Sequence, residues 1–479
     1  MPANSWPEND SYSELDAIGS LLSEIEEEAQ EIPATSPRFC GQGRTRKAAV
    51  VLTIVWSGTI ALHLVSWGSW FVLGLTTVFW IHALRVVFAR PHLVPEPMSA
   101  TDLVNCPHVS LLVAAKNEEA VISNLIKVLC NQDYPDERYE VWVVDDDSTD
   151  STPILLEQLA KEYENLKVLR RSAGAGGGKS GALNQVLPLT KGEFLAVFDA
   201  DAQVPADLLR RVLPLFATVS VGAVQVRKVI ANASENFWTR GQQAEMTMDT
   251  YLQQQRIAIG GIGELRGNGQ FVRRSALQRC GGWNEETITD DLDLTLRLHI
   301  DRWDIECLCY PAVEEEGVTS AIALWHQRNR WAEGGYQRYL DYWRLIVSNR
   351  MGSKKTWDLF VFLLIQYILP TAQVPDLVMA IARNRPPVLS PFTGVAMSMS
   401  VVWMFIGLKQ TRPDKKLGVS TLFVFLLQSL RGTLYMFHWL VVMTSTTARM
   451  SVRPKRLKWV KTVHQGGEKR EDAPSVLSP

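Results

Sequence analysis

Four short segments carry residue types that can do chemistry. They are Val143-Val144-Asp145-Asp146-Asp147-Ser148, Phe198-Asp199-Ala200-Asp201, Thr289-Asp290-Asp291 and Gln327-Arg328-Asn329-Arg330-Trp331. Carboxylates where an apolar strand ends can accept hydrogen bonds from a nucleotide, as Asp145 and Asp146 would. Asp199 and Asp201 stand close enough to share a hard cation, and Mg2+ typically takes one or two carboxylates plus substrate phosphates. Asp291 opens a helix-like run, where a carboxylate can deprotonate a hydroxyl as general base. Gln327 and Trp331 lie four apart on a helix with Arg330 beside them; indole faces suit sugars or lipid headgroups, and guanidinium suits phosphate. Each segment also has an ordinary explanation. Asp150 or Ser151 can cap a helix, a lone Asp-Ala-Asp is common in solvated turns, and acidic residues suit any helix start. Trp and Arg also anchor helices at a bilayer surface. Their order along one chain, between two groups of apolar helices, implies a membrane-bound enzyme handling a nucleotide-activated sugar.

A fifth segment offers a rival. Ala173-Gly174-Ala175-Gly176-Gly177-Gly178-Lys179-Ser180 matches the phosphate-binding loop pattern except at Ala173, and the run ending in Asp199 could serve as its acidic strand. That would make the protein a nucleoside triphosphate hydrolase. The preceding Lys167-Val168-Leu169-Arg170-Arg171 is a poor buried central strand, however, and this reading leaves the two later segments without a role. Lys179 and its flexible glycines can contact phosphates in either case.

These residues need elements to position them. Between residues 100 and 350 strand-like and helix-like segments alternate: Val109 to Ala114, a helix from Glu119 to Asn131, then strands at Tyr139 to Val144 and Phe194 to Phe198. The alternation predicts a Rossmann-like, mostly parallel α/β sheet, which binds ligands at the carboxyl ends of its strands. Around this domain lie apolar runs. Ala48 to Trp67 and Phe71 to Phe88 are each about the ~20 residues a helix needs to cross a bilayer. Arg44, Arg46 and Lys47 before them and Arg85 and Arg90 after them place both ends of this hairpin in the cytosol. Further runs follow at 357–382, 394–408 and 417–447, the first interrupted by Pro370 and Pro375. Both flanks of the last run are basic and read as cytosolic, so one span cannot join them; Gly432 is the expected break. The count of crossings is then four to six. The expected organisation is an acidic, disordered arm (1–43), a transmembrane hairpin (44–90), the catalytic domain (100–350), transmembrane or interfacial helices (355–448) and a basic cytosolic tail (449–479).

Composition narrows the partners. A net charge of −2 provides no basic field for nucleic acid, and the 6 cysteines show no CxxC metal spacing. No signal peptide precedes the first apolar run.

The ordered segments resemble the membrane-embedded branch of glycosyltransferase family 2, which includes cellulose and hyaluronan synthases, over roughly Pro107 to Arg350. The resemblance implies a GT-A cytosolic domain with transmembrane helices, and inverting transfer from a nucleoside diphosphate sugar. It implies that Asp145 and Asp146 meet uridine, that Asp199 and Asp201 hold nucleotide and Mg2+ (Mn2+ as the alternative), and that Asp291 is the base. Gln327, Arg330 and Trp331 would line the acceptor and diphosphate site. Two departures stand out: Asp147 replaces the usual glycine of the first segment, and Asp290 the usual glutamate of the third. Along its whole length the chain is most similar to members that move glucose from UDP-glucose to diacylglycerol, the first step of galactolipid synthesis. The alternative within the family is a processive polysaccharide synthase.

Overall fold

The computed structural model describes residues 41, 43–410 and 418–453. The acidic arm through residue 40, the basic loop at 411–417 and the tail from 454 lie outside the described residues.

Two long helices come first, α1 (Arg44–Leu64) and α2 (Gly68–Val87). The sheet domain follows with β1 (Val109–Ala115), α3 (Ile122–Leu129), β2 (Tyr139–Asp145), α4 (Thr152–Glu162), β3 (Leu166–Arg170) and α5 (Gly178–Val186). It continues through β4 (Phe194–Phe198), α6 (Leu208–Val212), β5 (Val221–Ile230), α7 (Phe237–Ala258), β6 (Gln270–Arg273), α8 (Arg274–Arg279), α9 (Asp290–Ile300) and β7 (Asp304–Glu315). The long helix α10 (Ala321–Val347) leads to α11 (Ser353–Leu363), α12 (Leu369–Arg383), α13 (Ser390–Gln410), α14 (Val419–Met436) and α15 (His438–Val452).

The seven strands form one sheet in the order β3-β2-β1-β4-β6-β5-β7. β6 is antiparallel to both neighbours and the other pairings are parallel. β1, β2 and β4 are nearly continuous apolar runs because helices cover both their faces. Parallel pairing brings Asp145 at the end of β2, Asp199 just after β4 and Glu315 at the end of β7 to one edge of the sheet. β3 is an edge strand with a half-exposed face, so the glycine-rich turn after it lacks the buried central strand that a phosphate-binding loop requires.

Among the described residues, five helical runs are long and apolar enough to cross a membrane: Arg44–Leu64, Gly68–Val87, Ser353–Arg383, Ser390–Gln410 and Val419–Val452. Their outward faces expose large apolar side chains such as Ile54, Trp70, Ile381 and Phe423, an apolar surface that lipid covers and water does not. The protein is therefore membrane-associated. Pro370 does not interrupt its run as expected from sequence. A π turn at Leu364–Ile368 immediately precedes it, and this wider turn accommodates the proline ring and its missing N–H. Nor does Gly432 break the last run. A Cβ there would overlap Met404 on α13, so Gly432 is a close-packing position; regular α-helix is instead interrupted five residues later, at Phe437, which keeps helical dihedrals. Beyond Phe437, Arg449 Nη2 donates to Glu333 Oε2 on α10 at 3.0 Å, while Tyr435 before it accepts from Arg328 Nη2 of the same helix at 3.2 Å. Thr446 Oγ1 also donates to Asn329 Oδ1 at 3.3 Å, so α15 packs along α10 of the sheet domain.

α10 is also the anchor for α1. Arg44 pairs with Asp341 at 2.6 Å, and Lys47 Nζ donates to the Leu340 carbonyl at 2.9 Å. Arg44 and Lys47, read from sequence as topological signals, therefore also bond the first apolar helix to the sheet domain.

Candidate active site

A cavity of about 1260 Å³ opens at the carboxyl edge of the sheet and continues between the apolar helices. Its polar half is lined by Lys179, Asp199, Asp201, Asp290, Asp291, Gln327, Arg330 and Trp331. The second, third and fourth segments thus converge on one space, although they lie far apart in sequence.

Lys179 sits in the first turn of α5, and its Nζ donates to Asp199 Oδ1 at 2.5 Å. Burial opposes the charge on both groups. Asp199 nevertheless stays below its ordinary carboxylate value because Lys179, then Lys228 and Arg330, stabilise the anion. Lys179 is held above its ordinary value by Asp199, Asp290 and Asp291. Burial lowers Arg330, against the pull of Asp199 and the same two aspartates. Lys228, on β5, pairs with Glu315 at 3.1 Å and lies over the Trp331 ring at 5.6 Å. Lys179, Lys228 and Arg330 therefore stand among the carboxylates of the polar half, cations that suit a phosphate-bearing ligand. Asp201 Oδ2 accepts from the Glu316 backbone N–H at 3.1 Å, which fixes it beside Asp199.

Asp291 stands in the first turn of α9, and its Oδ1 accepts from the Leu292 N–H at 2.8 Å. Burial, reinforced by the charge of neighbouring Asp290, pushes its carboxyl up from 3.8 to about 6. A carboxylate of that affinity is a far better proton acceptor than an ordinary surface aspartate. Its helix is tightly held. Asp293 pairs with Arg297 at 2.6 Å, Arg297 Nη1 donates to the Cys280 and Gly282 carbonyls at 2.7 Å, and Tyr342 Oη on α10 donates to Asp293 Oδ1 at 2.9 Å. Gly334 of α10 lies directly against Thr289, with no space for a Cβ.

Asp145 and Asp146 are placed differently. They stand at the same sheet edge but are buried and do not line the cavity. Asp146 pairs with Arg171, and Asp145 Oδ1 accepts from the Ser148 N–H at 3.2 Å. Asp145 Oδ2 accepts no hydrogen bond among the described residues, although Arg170 Nε lies 3.5 Å away.

The sequence passed over Arg328. It is fully buried, pairs with Glu245 on α7 at 2.6 Å, and lies over the Trp331 ring at 4.0 Å. Glu245 in turn accepts from Trp439 Nε1 at 2.7 Å. A buried ion pair thus joins α7, α10 and α15 behind the cationic-aromatic segment.

Residues 107–334 match the profile described as glycosyltransferase like family 2. A beta-monoglucosyldiacylglycerol synthase of Trichormus variabilis is 69% identical over 471 residues, covering 97% of this chain and 99% of the relative. The chain belongs to glycosyltransferase family 2. A Synechocystis protein of the same name is 56% identical over 479 residues, 99% of each chain. Among solved structures, the mannosyltransferase of Pyrobaculum calidifontis, determined with GDP-mannose and Mn2+, superposes with a TM-score of 0.51 at 21% identity, over 80% of this chain and 99% of that one. The sheet is accordingly a GT-A glycosyltransferase fold. In this glycosyltransferase, the matched region ends inside α10, just after Trp331.

Proposed function

We propose that the protein transfers glucose from UDP-glucose to 1,2-diacylglycerol with inversion at the anomeric carbon, giving β-monoglucosyldiacylglycerol. The likeness over nearly the whole chain to proteins of that name carries the reading. A cavity that runs from Asp291 to apolar residues of the membrane helices supports it, because a lipid acceptor must reach the base without leaving the bilayer.

In this mechanism Asp291 takes the proton of the sn-3 hydroxyl as that oxygen bonds to C1 of glucose. The bond from C1 to the diphosphate oxygen breaks with its electron pair, and UDP leaves. Lys179, Lys228 and Arg330 face the developing charge on the diphosphate, where fixed cations act most strongly. Asp145 and Asp146 would meet the nucleoside at the sheet edge beside the cavity, where Asp145 Oδ2 accepts no hydrogen bond from the described residues.

Asp199 and Asp201 fit a divalent ion. The described residues contain no cluster of three or more His, Cys, Asp or Glu able to hold a metal by itself, but two hard carboxylates plus diphosphate oxygens make a typical Mg2+ or Mn2+ set. Lys179 already places a cation against Asp199. Bound there, the ion would neutralise the leaving diphosphate. The sheet domain lies on the cytosolic side of a multi-pass membrane protein, beside the UDP-glucose supply.

The test is purified protein in detergent with Mg2+, radiolabelled UDP-glucose and diacylglycerol, separated by thin-layer chromatography. The expected result is one organic-soluble glucolipid whose formation requires diacylglycerol. Label held at the origin as polymer would indicate a polysaccharide synthase. Nucleotide hydrolysis that survives Asp291→Ala would restore the hydrolase reading.

A further inference from the structure

Along the apolar half of the cavity, most polar side chains satisfy themselves. The hydroxyls of Thr393 and Ser400, which line it, each donate to the carbonyl four residues earlier, the usual refuge of a hydroxyl in a membrane helix. Three cavity-lining side chains on the C-terminal apolar helices do not. Thr433 Oγ1 on α14, Trp403 Nε1 on α13 and Gln366 Oε1 in the π turn are buried and hydrogen-bond to none of the described residues. Trp403 and Thr433 flank the point where Met404 meets Gly432, so they stand together at the crossing of α13 and α14. One turn beyond Trp403, Gly407 packs on Thr247 of α7; two residues beyond Thr433, Tyr435 Oη donates to Glu245 of α7 at 3.2 Å. Both donors therefore lie where α13 and α14 pack against α7 of the catalytic domain.

A buried N–H or O–H in apolar surroundings is costly until an acceptor reaches it. A ligand that suits this place is apolar along most of its length and carries carbonyl acceptors near one end. We propose that Trp403 and Thr433 donate hydrogen bonds to the ester carbonyls of the acyl glycerol acceptor, so that this pair selects ester-linked over ether-linked lipid. The inference rests on the diacylglycerol reading above. Gln366, whose amide can present either a donor or an acceptor, faces the same ligand from the π turn.

The experiment compares dioleoylglycerol with its dialkyl ether analogue of equal chain length, using the full chain in detergent. Two neutral hydrogen bonds should give the wild-type protein a kcat/KM about 5- to 30-fold higher for the diester. Trp403→Phe and Thr433→Val should each raise KM for the diester about fivefold while leaving KM for the diether and for UDP-glucose in place. Equal use of the two lipids by the wild-type protein, or variants that lose both activities in parallel, would overturn the proposal. Product from neither lipid would instead reject the acceptor on which it rests.

Discussion

Replacing Asp290 with asparagine should move the acid limb of the pH profile downwards. Asp291 must be ionised to accept a proton, so kcat/KM falls as pH drops through its affinity, which burial and Asp290 raise to about 6. Titration of one group then leaves roughly one tenth of plateau activity at pH 5 and about nine tenths at pH 7. The amide in Asp290→Asn removes the like charge but keeps size and shape, so Asp291 ionises more readily and the limb shifts towards 3.8. Stability provides an independent reading with the opposite sign. Between 3.8 and about 6 the unfolded chain has released this proton and the folded chain retains it, so folding stability declines as pH rises through that window. The full gap corresponds to about 3 kcal/mol above pH 6, and Asp291→Asn should recover up to that amount at neutral pH while abolishing transfer. Initial rates at low UDP-glucose between pH 4.5 and 8, with thermal unfolding in the same buffers, measure both. A limb that stays in place or rises in Asp290→Asn, or an Asp291→Asn protein less stable than wild type at pH 7.5, would refute this account of the base.

Three further outcomes follow from the same geometry. Asp199→Asn and Asp201→Asn should each lower transfer by about two orders of magnitude and remove its dependence on divalent ions, while the proteins still purify from membranes; full wild-type activity in chelator would contradict the metal role. Arg328→Met should leave Glu245 buried without its cation and cost about 3–5 kcal/mol of stability, seen as an early thermal transition, although Arg328 touches neither Asp199 nor Asp291. Gly334→Ala should push Thr289 and the start of α9 out of place, lowering kcat with little change in KM for UDP-glucose and costing about 1–3 kcal/mol.

Much of the sheet was legible in the sequence because buried parallel strands are short apolar runs that end in polar residues. That pattern located β1, β2 and β4, and with them the edge where Asp199 stands. β3 was recognisable as unlike its neighbours because its charged residues suit only an edge. Arg328 was missed for a physical reason. It lies within the very segment singled out, but its partner Glu245 is 83 residues earlier on a helix whose polar and apolar residues follow no single face. The interruption at Phe437 was hidden because glycine looks like a breaker in sequence, whereas here the missing side chain of Gly432 lets α13 and α14 touch. Asp145 and Asp146 were placed on the correct edge; that arginines at 170 and 171 fold back onto them depends on the turn after β3, which has no periodic signature.

The bonds that converge on α10 set an altitude. Arg44 ties it to the first membrane helix, Arg449 to the last, and the same helix carries Gln327, Arg330 and Trp331 and presses on Thr289 beside the base. The height of Asp291, the proposed base, above the hydrocarbon is therefore a property of the protein, whereas the height of a lipid hydroxyl is a property of the bilayer. A thicker membrane raises the lipid surface relative to the helices, and a thinner one lowers it. Tail length in the acceptor molecule should thus matter little, since surplus carbons extend away from the base. Tail length in the surrounding lipids should matter more, because they decide whether hydroxyl and carboxylate meet at the same level.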